Sequence, residues 1–166
     1  MLDVAILDMG GTINGILDPS DPPPAQSLVI DYVTARQQAF DIHVRAEQVA
    51  MKDSRAVRDS DRELLRVAIQ ASKEQAILIP HGTFTLAATG EYLSRVLPAE
   101  DQCRRIVLVG AKHPLHTEGS DAPHRLAFAI DALRTAEPGV WVAMEDKLWR
   151  PEAVEKDLNT GRFVSR

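Results

Sequence analysis

The sequence predicts an α/β domain with a doubly wound, mostly parallel sheet and helices on both of its faces. Aliphatic runs of strand length alternate along the chain with segments of helical periodicity, and this alternation is typical of parallel sheets with right-handed crossovers. Several of the runs end in glycine or another small residue, where the backbone can turn sharply. At 166 residues the chain is long enough to bury its own core, so we expect residues 1–166 to form a single domain.

The first predicted strand begins at Val4, is aliphatic over most of its length and stops at a pair of glycines before Thr12. A run of this type is typical of a strand that is buried on both faces. The run at residues 76–79 repeats the pattern, because a glycine and Thr83 follow it closely. Chemistry in an open parallel sheet takes place at the carboxyl ends of the strands, so we expect the two threonine hydroxyls to meet at that edge.

The remaining elements follow from periodicity and from capping signals. Further strands are predicted at residues 40–50, 105–111 and 140–144. Helices are predicted at residues 27–38, 60–72, 86–97 and 120–133. Ser27 is a candidate cap for the first helix, and Ser60 with Glu63 forms a capping-box signature for the second.

Two segments are predicted to lack helix and strand. Residues 13–26 contain four prolines, and a long loop directly after a strand-end threonine is a candidate flexible lid, although a mobile surface connection would have the same composition. Residues 152–166 are expected to form a polar C-terminal tail, with Val154 and Phe163 as its anchors.

The composition argues against several classes of function. A net charge of -5 and a pI near 5.5 are unfavourable for binding that depends on phosphate neutralisation, so nucleic acid is not an expected partner. The single cysteine cannot form an internal disulfide, and no stretch approaches the roughly 20 apolar residues that span a bilayer. We therefore expect a cytoplasmic protein with no membrane partner. His81, His113 and His116 lack the paired spacing of zinc ligands, and neither a metal nor a cofactor is expected.

Six short motifs follow one another over nearly the whole chain. They are Met9-Gly10-Gly11-Thr12-Ile13, Asp53-Ser54, His81-Gly82-Thr83-Phe84-Thr85, Val109-Gly110-Ala111-Lys112-His113-Pro114, Ser120-Asp121-Ala122-Pro123 and Val154-Glu155-Lys156. In this order they resemble the N-terminal domain of the bacterial-type L-asparaginases. The chain is similar to short-chain members that consist of the catalytic domain alone, and the resemblance implies a homodimer or homotetramer.

The resemblance implies hydrolysis of the side-chain amide of L-asparagine or of a related small amide. Thr12 would attack the amide carbon, and Lys156 would activate Thr83, because a hydroxyl is a weak nucleophile that needs an adjacent base. Ser54 would bind the α-carboxylate of the substrate together with backbone amides near Gly82. The substrate-binding positions implied by the resemblance are Gly11, Asp53, Ser54, Gly82 and Phe84.

Two positions depart from the family pattern. Phe84 stands where the family has an aspartate that pairs with the α-ammonium group of the substrate. Loss of such a charge-assisted hydrogen bond costs about 1.5–3 kcal/mol, so free asparagine is expected to bind poorly and an amide with a neutral or apolar neighbouring group to bind better. Residues 14–26 contain no tyrosine, whereas the family has a tyrosine close to the nucleophile.

Other interpretations of the same residues remain open. An asparaginase-fold module that binds a small ligand or a partner without catalysis would also lack the family aspartate and tyrosine. Residues 7–12 resemble the Asp-x-Asp-Gly-Thr motif of haloacid-dehalogenase-type phosphatases, in which Asp8 would attack phosphorus, but the second aspartate is Gly10 here. Thr12 and Thr83 would be ordinary helix caps in a protein without such a site.

Overall fold

A central six-stranded sheet and a small two-stranded sheet make up the β structure of the computed structural model, which describes the whole chain, Met1–Arg166. The strands are β1 (Leu2–Gly10), β2 (Ile42–Lys52), β3 (Ala76–Pro80), β4 (Arg105–Val109), β5 (Gly139–Met144), β6 (Lys147–Trp149), β7 (Val154–Lys156) and β8 (Phe163–Ser165). The order in the large sheet is β2-β1-β3-β4-β5-β6. Strands β1 to β5 are parallel, and β6 is an antiparallel strand at the edge.

Helices cover both faces of the large sheet. They are α1 (Leu28–Thr34), α2 (Gln37–Phe40), α3 (Asp59–Ala71), α4 (Leu86–Val96) and α5 (Ala122–Thr135). One core lies between the sheet and helices α3 and α4, and a second core lies between the opposite face and helices α1 and α5. This arrangement confirms the predicted doubly wound α/β fold. None of the helices is both long enough and apolar enough to cross a membrane.

Strand β1 lies inside the sheet and contributes to both cores. Ala5 and Leu7 belong to the core with α3 and α4, whereas Val4 and Ile6 belong to the core with α1 and α5. All four side chains are fully buried, which is why this strand is aliphatic on both of its faces.

The chain leaves β1 toward β2 on one side of the sheet and later returns to β3 on the other side. The carboxyl ends of β1 and β3 therefore meet at the topological switch point, where ligands bind in open α/β sheets. Thr12 follows β1 and Thr83 follows β3. The fold thus places the two predicted threonines on either side of the switch point.

The capping signals gave one correct and one wrong prediction. The Ser27 hydroxyl accepts a hydrogen bond from the Ile30 amide at 3.0 Å, which confirms the predicted cap of α1. Helix α3 instead begins one residue before the predicted cap Ser60, and it is the Asp61 carboxylate that accepts a hydrogen bond from the Arg58 amide at 2.9 Å. The shorter aspartate side chain performs at this position the role that we predicted for glutamate.

The C-terminal tail is more ordered than the prediction of a polar tail suggested. Its strands β7 and β8 form an antiparallel hairpin in which Lys156 lies opposite Phe163. Val154 and Phe163 are buried in the core with α3 and α4, which confirms them as the anchors. The hairpin carries Lys156 back to the carboxyl edge of the large sheet.

We predict that Phe163→Ala will lower the free energy of unfolding by about 3–5 kcal/mol, because it leaves a cavity beneath the hairpin. The neighbouring Val164 is 38% exposed, so Val164→Ala is a matched control that should change stability by no more than about 0.5 kcal/mol. Urea unfolding of both variants measures the difference, and equal effects would contradict the anchoring role of Phe163.

Candidate active site

Three backbone turns approach one another closely at the switch point. A Cβ atom on Gly11 would lie 2.4 Å from the Cα of Gly82, and a Cβ atom on Gly82 would lie 2.6 Å from the Cβ of Ser54. Gly11 also has a φ angle of 81°, which favours glycine. Only glycine fits at these two positions, and their contact brings the turn that carries Thr12 against the turn that carries Thr83.

Lys156 makes direct contact with Thr83. Its Nζ lies 2.8 Å from the Thr83 Oγ1, although 73 residues separate the two along the chain. Burial lowers the pKa of the Lys156 ammonium, and the neighbouring Arg55 lowers it further. A lowered pKa raises the fraction of neutral amine, which is the form that accepts a proton from a hydroxyl.

A cavity of about 430 Å³ opens beside this pair at the carboxyl edge of the sheet. Its wall includes Thr12, Thr83, Phe84, Ala111, Lys112, Arg125, Met144, Glu145, Lys156, Gly161 and Arg162. Thr12 begins a short 3-10 helix, Thr12–Asn14, and is half-buried. The structure therefore brings both predicted catalytic threonines and the predicted lysine to one cavity.

Asp53 and Ser54 lie behind the cavity wall rather than in it. Ser54 is 1% exposed; its hydroxyl accepts a hydrogen bond from the Thr85 amide at 3.2 Å, and its carbonyl accepts one from the Thr85 hydroxyl at 2.7 Å. Asp53 forms a two-pronged ion pair with Arg55, with the shorter contact at 2.7 Å, and the side-chain hydrogen bond from Arg55 holds its pKa below the usual range. Ser54 packs against the turn at Gly82, Asp53 is engaged by Arg55, and neither is among the residues that line the cavity.

The Phe84 ring lies between two cationic side chains, those of Lys156 and Arg55. The Lys156 Nζ is 3.9 Å from the ring centroid, and the Arg55 guanidinium carbon is 4.5 Å from it. Each distance is within the range of a cation–π interaction. No carboxylate forms an ion pair with Lys156. The neighbour of Lys156 is therefore an aromatic ring, which stabilises the ammonium charge less strongly than a carboxylate would.

Arg55 is a site residue that the sequence interpretation missed. Besides its contacts with Asp53 and Phe84, its guanidinium donates a hydrogen bond to the Leu17 carbonyl at 3.1 Å. It therefore ties the loop after Thr12 to the Asp53 turn and to the cavity wall. In the sequence, the only indication of this role is that Arg55 directly follows the Asp-Ser motif. An arginine in a turn is usually solvated, so the sequence alone did not identify it as a site residue.

His81 has a structural role beneath the Thr83 turn. The fully buried ring donates from Nδ1 to the Gly82 carbonyl at 2.7 Å and accepts at Nε2 from the Thr89 hydroxyl at 2.8 Å. Arg62 donates to the same hydroxyl at 2.9 Å. Burial lowers the pKa of His81 to about 4, so the ring is neutral and holds the turn in place through two directed hydrogen bonds.

A second buried polar cluster lies beneath the Thr12 turn. The fully buried Asp8 accepts hydrogen bonds from the Gly10 amide at 2.9 Å and from the Asn14 side chain at 2.9 Å, and it shares a short hydrogen bond with the Ser27 hydroxyl. Asn14 also accepts a hydrogen bond from the Val29 amide at 3.2 Å. The cluster thereby joins the end of β1, the Thr12 helix and the start of α1. In the sequence, an aspartate within a buried aliphatic strand indicates such a cluster, because a buried carboxyl group needs hydrogen-bond partners.

Burial raises the pKa of Asp8 to about 7, against the smaller opposing effects of its hydrogen bonds. A protonated Asp8 can donate to the Ser27 hydroxyl, which then donates to Asn14, so every proton in the cluster has a partner. This environment is incompatible with Asp8 as a phosphatase nucleophile, because the carboxylate has no access to a substrate. The resemblance to the haloacid-dehalogenase-type phosphatases is therefore wrong as a guide to function.

Comparisons with known proteins agree with this geometry. The chain matches the family described as Asparaginase, N-terminal, over residues 3–163. A curated L-asparaginase of Thermococcus kodakarensis is 32% identical over 128 residues, which cover 71% of this chain and 38% of that protein. The chain therefore spans well under two thirds of the length of this relative.

Solved structures give the same result at the level of the fold. The thermostable L-asparaginase from Thermococcus kodakarensis has a TM-score of 0.79 and 26% identity, with 99% of this chain and 51% of that chain covered. A probable cytoplasmic L-asparaginase from Campylobacter jejuni has a TM-score of 0.81 and 30% identity, with 99% of this chain and 53% of that chain covered. This chain spans about half of each.

Fold and site together define an α/β protein with a threonine and lysine cluster at the switch point of its sheet. The chain belongs to the asparaginase family, whose N-terminal domain it matches over nearly its whole length. This membership confirms the resemblance that the six ordered motifs indicated.

The buried Asp8 generates a prediction about stability and pH. The pKa of Asp8 in the folded protein is raised from the ordinary value of 3.8 to about 7, so protonation of Asp8 favours the folded state. The free energy of unfolding therefore falls as the pH rises toward and through about 7. Asp8→Asn lacks this titration. Between pH 5 and pH 8, the wild-type protein should lose roughly 2–3 kcal/mol of unfolding free energy relative to the variant.

Thermal or urea unfolding at several pH values measures this difference. Asp3→Asn is the matched control, because Asp3 is an exposed aspartate of the same strand. If the Asp8→Asn variant and the wild-type protein have parallel pH profiles, Asp8 does not titrate in the way that its burial implies.

Proposed function

We propose that this chain hydrolyses the side-chain amide of a small substrate to a carboxylate and ammonia, with Thr12 as the nucleophile. The observation that carries the proposal is the 2.8 Å contact between the Lys156 Nζ and the Thr83 hydroxyl, in a cavity that Thr12 also lines. A solvated tail lysine and two helix-capping threonines would have no reason to share one cavity.

The proposed reaction proceeds through an acyl-enzyme. Neutral Lys156 takes a proton from Thr83, and Thr83 takes the proton from Thr12 as the Thr12 oxygen attacks the amide carbon. The carbon–nitrogen bond breaks as the nitrogen takes up the proton that Lys156 holds, returned through Thr83, and ammonia leaves. Water then hydrolyses the ester on Thr12 by the same relay, which releases the carboxylate and restores the threonine.

Charge that develops on the amide oxygen needs hydrogen-bond donors. Neither the Gly82 amide nor the Thr83 amide donates a hydrogen bond within the chain, and both belong to a turn in which the His81 ring is hydrogen-bonded to the Gly82 carbonyl. Such fixed donors stabilise an oxyanion without reorganisation during the reaction. We assign Gly11, Gly82, Asp53 and Ser54 to substrate binding through the shape of the turns that they form.

We propose that residues 13–26 act as a lid, since Arg55 attaches this loop to the cavity wall through the Leu17 carbonyl.

By analogy with its relatives, one of which is named a probable cytoplasmic L-asparaginase, we propose a cytoplasmic protein that assembles as a homodimer or homotetramer. A second copy would be available to complete the site.

The second candidate is a non-catalytic binding module of the same fold. Phe84 beside Lys156 favours it, because the family aspartate that supports the lysine is missing. The contact of Lys156 with Thr83 in the cavity that Thr12 lines favours catalysis instead, and the pKa of Lys156, which burial lowers, is in the direction that a base needs. Activity measurements separate the two.

We predict that Thr12→Ala and Thr83→Ala will each reduce ammonia release from a panel of simple amides by at least about 10³-fold, because the nucleophile or its relay is lost. Thr34→Ala is the matched control, since Thr34 is an exposed threonine of α1. Circular dichroism should confirm that all three variants are folded. Full activity in either site variant would refute the assignment of that threonine.

A second prediction concerns Phe84. The substitution Phe84→Asp should improve the binding of L-asparagine by about 10–100-fold, because a carboxylate at this position can pair with the α-ammonium group. Phe84→Leu is the control that removes the aromatic ring without adding charge. Calorimetric titration in the Thr12→Ala background measures binding without turnover, and equal affinities in the aspartate and leucine variants would contradict the role given to position 84.

A further inference from the structure

The charged side chains around the cavity are mostly cationic, although the chain as a whole carries a net charge of -5. Four cations line the wall: Lys112, Arg125, Lys156 and Arg162. Glu145 is the one acidic residue among the lining residues. A cavity with an excess of one sign of charge concentrates ligands of the opposite sign. The local charge is thus opposite to that of the protein surface overall.

Glu145 is already occupied by cations of the wall. Its carboxylate lies 3.6 Å from the Arg125 guanidinium and 3.7 Å from the Arg162 guanidinium. It also accepts a long hydrogen bond from the Phe163 amide at 3.4 Å. Because its charge is shared between two arginines, Glu145 is poorly placed to receive an ammonium group from a ligand.

Lys112 and Lys156 are the two cations of the cavity wall whose positive charge no carboxylate of the chain neutralises. Neither forms an ion pair with a carboxylate of the chain, whereas Arg125 is held by Asp121 at 2.7 Å. The two lysines are close enough to affect one another, since the charge of Lys112 contributes to the lowered pKa of Lys156. Lys112 is exposed at the mouth beside Gly161, so a ligand can reach it.

We infer that the cavity selects an anionic amide, a monoamide of a short dicarboxylic acid that lacks an α-ammonium group. This inference rests on the proposed amidohydrolase function. The carboxylate of the substrate would pair with Lys112 at the mouth, and the amide would lie at Thr12 and Thr83. An α-ammonium group in the same space would face Lys112, Lys156 and the Phe84 ring with no free carboxylate to receive it.

Four amides of similar size, L-asparagine and three analogues of it, test the effect of substrate charge separately from that of substrate shape. Succinamate is asparagine without its ammonium group, butyramide is neutral, and β-alaninamide has an ammonium group in place of the carboxylate. We expect kcat/KM for succinamate to exceed the values for L-asparagine and β-alaninamide by at least about tenfold, with butyramide between them. The advantage of succinamate should shrink as salt rises from 0.05 to 0.5 M, because salt screens an exposed charge pair.

The side chain responsible is tested by Lys112→Met, which keeps the aliphatic stem and removes the charge. The ratio of succinamate to butyramide turnover should fall by about two- to fivefold in this variant, as expected for the loss of an exposed charge pair. Lys73→Met is the matched control, because Lys73 lies just before β3 at the opposite edge of the sheet. An unchanged ratio in Lys112→Met would overturn the assignment of Lys112.

Binding to the Thr12→Ala variant distinguishes failure of this inference from failure of the proposed function. If calorimetry finds succinamate at least about tenfold tighter than β-alaninamide while the wild-type protein hydrolyses no amide, the charge selection holds and the hydrolase proposal fails. If the wild-type protein hydrolyses amides but L-asparagine or β-alaninamide binds as tightly as succinamate, the inference is wrong while the proposed function stands.

Discussion

The contact between the glycine turns after β1 and β3 is the constraint on which the site depends. With no side chain at Gly11 or Gly82, the two backbones meet at a distance that a Cβ atom would prevent, and the Ser54 turn packs against them from the other side. This contact sets the spacing of the two threonines. The buried hydrogen bonds of Asp8 and Asn14 beneath one turn, and of His81 beneath the other, hold the backbones in that position.

The electrostatics of the site follow from a lysine that is partly buried without a counter-ion. Lys156 hydrogen bonds to Thr83 and lies over the Phe84 ring, and its pKa is lowered chiefly by burial. A carboxylate at position 84 would oppose that effect and hold the lysine in its charged form. Compared with a carboxylate at this position, the phenylalanine ring stabilises the charged ammonium of Lys156 less strongly and offers no acceptor to a positively charged ligand.

Arg55 connects these features to the loop after Thr12. Its guanidinium contacts Asp53, the Phe84 ring and the Leu17 carbonyl, so a movement of the loop would alter the environment of the cavity wall. The sheet itself gives no such freedom, because its inner strands are buried on both faces. The site therefore combines strand ends that are fixed by packing with a loop that Arg55 attaches to the Asp53 turn.

The sequence by itself determined the α/β class, the strands that end at Thr12 and Thr83, and the family, because these depend on local periodicity and on short motifs that lie together in the chain. It also identified Val154 and Phe163 as anchors of the tail. It did not predict the strands β6, β7 and β8, since three-residue strands carry too little periodicity to be recognised. The family resemblance implied that Lys156 acts on Thr83, and the structure shows the contact between them. Only the tertiary structure decided that Ser54 lies behind the wall and that the cations gather at one cavity, because such arrangements join residues far apart in the chain and depend on how the sheet edge and the hairpin pack.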